Sequence, residues 1–191
     1  CTVSATAIGS RGHASIVGVR YDSNLSGASS IRVVGSRLSS FSRDSFYAMV
    51  ATVGSRSVIT HASSMILADS HLATATSGVY ANHSWIALVD TNSSVSHGSC
   101  IVIVTSKVLC GIGDSDGYAW VASIYRGAVA QGSAIAIRRS TVHIQSAGGP
   151  SWLATLGDRA FLDDMSRMEV SDSNVTVVTE GDRAYVAVVV S

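Results

Sequence analysis

The residues of this 191-residue chain best suited to chemistry are its carboxylates and histidines. Asp163 and Asp164 are adjacent, Asp114 and Asp116 lie two apart, and His97 is followed by Gly98. Paired carboxylates are what polysaccharide hydrolysis requires, one as acid and one as base or nucleophile. A pectin-type arrangement would place the paired Asp before the His-Gly step and an Arg-x-Lys step after it. Here His97 precedes Asp163, and the only lysine is Lys107. Asp114-Ser115-Asp116-Gly117 has the oxygen-rich start of a calcium loop but lacks the remaining ligands. The six histidines, His13, His61, His71, His83, His97 and His143, show no i, i+4 or HExxH pairing. No G-x-S-x-G elbow, Gly-rich phosphate loop or dinucleotide fingerprint is present. The expectation is no catalytic residue, no metal and no cofactor.

The elements that carry these residues come from an internal repeat. Five serines mark it: Ser36, Ser70, Ser106, Ser140 and Ser173, at intervals of 34, 36, 34 and 33. Seven residues earlier stand Ser29, Ser63, Ser99, Ser133 and Ser166. Five earlier stand Ile31, Met65, Ile101, Ile135 and Met168, and two later Leu38, Leu72, Val108, Val142 and Val175. A second block follows each anchor, aligned on Ala48, Ala87, Ala119, Ala154 and Ala187, with an aromatic one or two positions before each of them. Apolar residues two apart read as strands. Each unit therefore carries three strands and a less regular return, such as 157–165. Residues 1–28 match more loosely, with Ala14 and Ile16 where a second block begins.

Three strands per roughly 34 residues describe one coil of a parallel β-helix, a β-solenoid of about five to six coils. The whole of 1–191 forms one all-β domain. Composition agrees. Ser and Thr make up about a quarter of the chain, Pro150 is the only proline, and 47% of residues are hydrophobic against 14% charged. Thirteen basic and thirteen acidic residues give a net charge of +0, which argues against a nucleic-acid partner. No apolar run reaches membrane-spanning length. The chain starts at Cys1 and both ends fall within a coil. It is therefore expected either to continue in a longer chain or to stack end to end on further copies of itself.

All four asparagines, Asn24, Asn82, Asn92 and Asn174, head N-x-S/T triplets. Chance would place about one there, given the Ser and Thr content. They point to a secreted or cell-surface glycoprotein carrying N-linked glycans. The three cysteines make no disulfide framework. Alternation turns Cys110 inward and Cys100 outward, and leaves Cys1 as the candidate link to another chain. Arg37, His71, Lys107, Thr141 and Asn174 form an outer polar ladder. Trp85, Tyr118, Trp152 and Tyr185 are expected either as a packed ladder or as a stripe that binds host or matrix glycans.

The unit Ser133-Ala134-Ile135-Ala136-Ile137-Arg138-Arg139-Ser140-Thr141-Val142 resembles the repeats of very large extracellular β-helix proteins. The Arg-over-Lys bias and the phrases Gly117-Tyr118-Ala119-Trp120-Val121 and Asn174-Val175-Thr176-Val177-Val178 are similar to the dispersed-gene-family surface proteins of trypanosomatids. That resemblance implies an adhesive or structural surface glycoprotein, in rod or filament form. The alternatives are a carbohydrate-active β-helix enzyme and a glycan-binding module.

Overall fold

The computed structural model describes residues 1–8, 13–44, 47–78, 83–113, 117–147, 149–157, 159–163, 165–180 and 184–189, with residues 186–189 as backbone alone. All regular structure among them is β, in four parallel sheets that stack coil upon coil as a solenoid. Face A runs through Thr2–Ile8, Arg37–Arg43, His71–Ser77, Lys107–Ile112, Thr141–Ser146 and Asn174–Thr179. Face B runs through His13–Arg20, Tyr47–Gly54, His83–Val89, Ala119–Ile124, Ser151–Leu156 and Ala184–Val189. Face C is made of two-residue strands, Asn24–Leu25, Val58–Ile59, Ser94–Val95, Ala128–Val129 and Phe161–Leu162. Face D holds Ser30–Val34, Ser64–Ala68, Cys100–Val104, Ala134–Arg138 and Arg167–Ser171. The return segment expected to be irregular thus carries a fourth short strand. It escapes a period-2 reading because two residues cannot show alternation.

The repeat sets the register. Ile31, Met65, Ile101, Ile135 and Met168 are successive Cα partners along one inner ladder. Met65, Ile101 and Ile135 are buried at 1% exposure or less and join Leu67, Ile103 and Ile137 in one aliphatic core. No coil can bury its inner face alone, so each stabilises its neighbours by removing that apolar surface from water. The loosely matching N-terminal stretch is a regular coil too: Thr2–Ile8 pairs with Arg37–Arg43, and Ala14 opposes Ala48.

The anchor serines hold the corner between faces D and A. The backbone N–H of Ser36 donates to Ser70 Oγ at 3.1 Å, Ser70 to Ser106, Ser106 to Ser140, and Ser140 to Ser173. Each of these hydroxyls donates in turn to the carbonyl two residues back, as Ser106 does to Val104 at 2.9 Å. A buried corner N–H is therefore satisfied by the next coil, not by water. The second serine series does the same at the corner between C and D, from Ser29 through Ser63, Ser99 and Ser133 to Ser166. A third ladder is not evident from the sequence. Ser23 donates to Ser57 and Ser57 to Ser93, both at 3.2 Å. It is hidden there because it has only three members before Gly127 and Ala160 replace them. Just ahead of the anchors the chain turns through left-handed backbone at Gly35, Asp69, Thr105, Arg139 and Asp172, with φ between 48° and 58°.

One part of the expected alignment is corrected. Ala48 and Ala119 share a ladder with Ser84 and Ser151, whereas Ala87, Ala154 and Ala187 lie three residues further on, with Ala51 and Ala122. Each strand has two small residues three apart, and the joining segments vary in length. An alignment on alanine alone therefore slips between the two positions.

Candidate functional site

Face B is where the aromatic side chains collect, and its geometry follows from a break in alternation. In its strands two successive residues point into the main core: Val50–Ala51, Ile86–Ala87 and Val121–Ala122. Two inward residues in a row bend the strand, as a bulge does. Trp85 and Leu88 then emerge on the outer side and meet Met49, Tyr47 and Trp120 in a second, smaller hydrophobic cluster.

The register lines the outer rings up in two columns. Trp85, Trp120, Trp152 and Tyr185 stack at centroid spacings of 4.9, 5.0 and 5.7 Å with planes within 10°. Beside them His13, Tyr47, His83 and Tyr118 stack at 4.7, 5.6 and 5.0 Å. Rings of the two columns meet at 48° to 65°, as His83 does with Trp85 and Trp120 at 5.2 Å. The result is a herringbone, the edge-to-face arrangement that aromatic quadrupoles favour. Tyr118, expected in the tryptophan ladder, belongs to the neighbouring column, and Trp120 takes its place. The cause is the same three-residue slip.

This packing bears directly on sugar binding. A pyranose stacks on a ring face, yet the faces of Trp85, Trp120 and Trp152 lie against one another. Tyr125, just past the end of the face B strand Ala119–Ile124, is 38% exposed and stands outside both columns. Its side chain lies over the Cα of Gly157, where an added Cβ would come within 2.9 Å of the ring, and the Arg126 guanidinium stands 5.2 Å from its centroid. Between Tyr125 and the tryptophans runs a cleft of two adjoining depressions. One, of about 280 Å³, is lined by Tyr47, Met49, Trp85, Leu88, Asp90 and Arg126 among others. The other, of about 210 Å³, shares Tyr47, Trp85 and Tyr125 and adds Trp120 and Ser123.

Electrostatics vary sharply over this face. Burial holds the His83 imidazole down to about 4, so it is neutral at ordinary pH. Burial and then the nearby Asp90 push the Tyr47 phenol up, while burial and Arg20 hold His13 down. Asp90 Oδ1 accepts the Thr91 hydroxyl at 2.9 Å. The indole N–H groups of Trp85, Trp120 and Trp152 and Nδ1 of His83 are buried without a hydrogen-bond acceptor or donor opposite them.

The other residues singled out in the sequence lie apart. Asn24, Asn92 and Asn174 are exposed, on face C, at the corner between B and C, and on face A. Asn82 lies outside the described residues, as do Asp114, Asp116 and Asp164. Asp163 Oδ1 accepts the Gln131 N–H and the Ser166 hydroxyl, both at 2.8 Å, which builds a turn. His97 stacks on His61 at 5.0 Å and bonds Thr60 Oγ1 through Nδ1 at 3.0 Å. Among the described residues no three His, Cys, Asp or Glu side chains converge on a metal-sized space. Arg37, Lys107, Thr141 and Asn174 stand exposed, in register with half-buried His71.

All three thiols are free. Cys110 is buried and donates to the Ser84 carbonyl at 3.3 Å, and burial pushes its pKa up. Cys100 is half-buried on the outer side of face D. Cys1 is exposed, with Sγ 3.2 Å from Ser36 Oγ, in the position that an anchor serine takes in the other coils.

Comparison with known proteins adds no relative: no family model, no curated protein and no solved structure matches this chain.

Proposed function

We propose that this chain is a structural segment of an extracellular, N-glycosylated rod, whose work is mechanical and adhesive, without catalysis. The observation that carries this reading is the continuity of bonding along the axis. Four parallel sheets and two unbroken serine ladders tie every coil to the next, at the corners as well as in the strands. Pulling two coils apart breaks strand and corner hydrogen bonds together, and exposes the aliphatic ladder. Such a body transmits load and holds its outer side chains in fixed rows. The exposed sequon asparagines and the likeness of the repeats to trypanosomatid dispersed-gene-family surface proteins support a cell-surface setting. Its partners on this reading are neighbouring coils of a longer chain or further copies of itself, with host or matrix glycans at the outer faces.

Electron microscopy of native material tests the reading. Filaments with an axial repeat near 26 Å, about five and a half coils at ~4.8 Å each, mean that copies stack end to end. Single extended rods mean a segment of one long surface protein. Compact globular particles without an elongated axis would sink both forms.

A further inference from the structure

The cleft on face B does not stop at the edge of that face. Its larger depression shares Asp90 and Thr91 with a third one, of about 370 Å³, lined by Tyr21, Asp22, Ser55, Arg56 and Asn92. Asn92 is the acceptor of the Asn92-Ser93-Ser94 triplet, is exposed, and turns the chain with φ 56°. Its N–H donates to the Arg126 carbonyl at 3.0 Å, which fixes it directly beside the coil that carries Tyr125 and Arg126. Asp90 and Asn92 are two residues apart, at most ~7 Å of chain. A continuous surface channel therefore leads from a glycan acceptor to the exposed ring of Tyr125.

The lining suits one occupant. A pyranose has an apolar C–H face and a hydroxylated rim. Tyr125 offers the exposed apolar surface above a floor of buried Met49 and Leu88, and Asp90, Thr91 and Arg126 offer polar groups along the same path. Trp85, 6% exposed, forms part of the floor of both inner depressions. We propose that the inner sugars of the chain's own Asn92-linked glycan fold back into this channel and lie against Tyr125, so that the glycan serves as a covering strap over the aromatic face. This rests on the glycoprotein reading above and adds where one glycan goes. Asn174 is the contrast. It projects from face A and lines none of these depressions.

The test uses the full chain secreted from a eukaryotic host that attaches N-glycans. Mass spectrometry first reads occupancy site by site, and an endoglycosidase then acts on the native protein. The expected result is release from Asn92 at least tenfold slower than from Asn174, with the difference abolished by heat denaturation and by Tyr125→Ala. Tryptophan emission should also shift when the Asn92 glycan is absent, as in Asn92→Gln. Equal native release rates would overturn the strap while leaving the glycoprotein reading intact, as would occupancy at Asn174 without occupancy at Asn92. Slow release that survives Tyr125→Ala would also overturn it, since protection would then come from the turn alone. No glycan at any sequon would remove both readings together.

Discussion

The molecule has two hydrophobic regions built on opposite principles. The inner core is aliphatic, with Ile101, Ile103, Ile135 and Ile137 enclosed by all four faces. The outer cluster on face B is aromatic and rests on one sheet, with Met49, Trp85 and Leu88 buried mainly by each other and by Tyr47 and Trp120. Inside, exclusion of water is enough, because burial is non-directional and any well-fitting branched side chain serves. Outside, water is near, and rings gain by stacking along the axis and meeting edge to face across it. A solenoid therefore extends its core outward only where the residues can cover one another.

The largest loss is expected at the inner ladder. Ile101→Ala, between Met65 and Ile135, should cost about 4 kcal/mol, because the rigid coils above and below cannot collapse into the space. Chemical denaturation would read it, and a loss below about 1 kcal/mol would mean that the coils relax independently.

The next effect belongs to the outer cluster alone, and it is acid sensitivity. His83 titrates at about 4 in the folded chain, against 6.5 for an ordinary solvated histidine. The unfolded chain therefore binds a proton between those pH values that the folded chain does not. Stability is full above about pH 6.5 and falls as pH drops to 4, by about 3 kcal/mol from this one group. His83→Phe should flatten that part of the pH profile of the melting temperature. Glu169 acts lower down. The Ser171 hydroxyl, then Arg138 and Arg167, hold its carboxyl down to about 2, so its contribution is lost as pH falls from 4.5 towards 2.

Smaller still is the loss expected from Trp120→Ala, about 2 kcal/mol, since Trp120 is half-buried and gives up its stacking on Trp85 and Trp152. Near-ultraviolet circular dichroism should lose the coupled indole signal at the same time. A signal that stays intact would deny the stacked column. The smallest effect is a gain. Thr105 is β-branched and held at φ 50°, where Gly35 sits in the equivalent turn with no atom within 4 Å of an added Cβ. Thr105→Gly should stabilise by about 1 kcal/mol, visible as a raised melting temperature.

Much of this was legible in the sequence, for reasons that particular residues make plain. The inner ladder was readable because Ile31, Met65, Ile101, Ile135 and Met168 keep type at a near-constant period. The corner serines were readable because a hydroxyl that must accept an N–H from the coil below has few substitutes. The Asn92 channel was not readable. Its parts come from four coils and from both sides of a corner, with Tyr21, Tyr47, Asp90 and Tyr125 far apart in the chain. The herringbone was half readable: the rings were visible, but the assignment of Tyr118 and Trp120 to their columns was not.

Sequence alone settles the all-β class, the period of the coil, the inward residues of faces A and D and the two five-member serine ladders. These depend on alternation and on side-chain size, which are local properties repeated at a fixed interval. Tertiary structure alone decided the register of face B, because two inward residues in succession bend each strand. Stacking then selects which of two nearby rings faces which. Only the pairing of whole coils, each adding hydrogen bonds and ring contacts to the next, separates registers that the local pattern leaves almost equal.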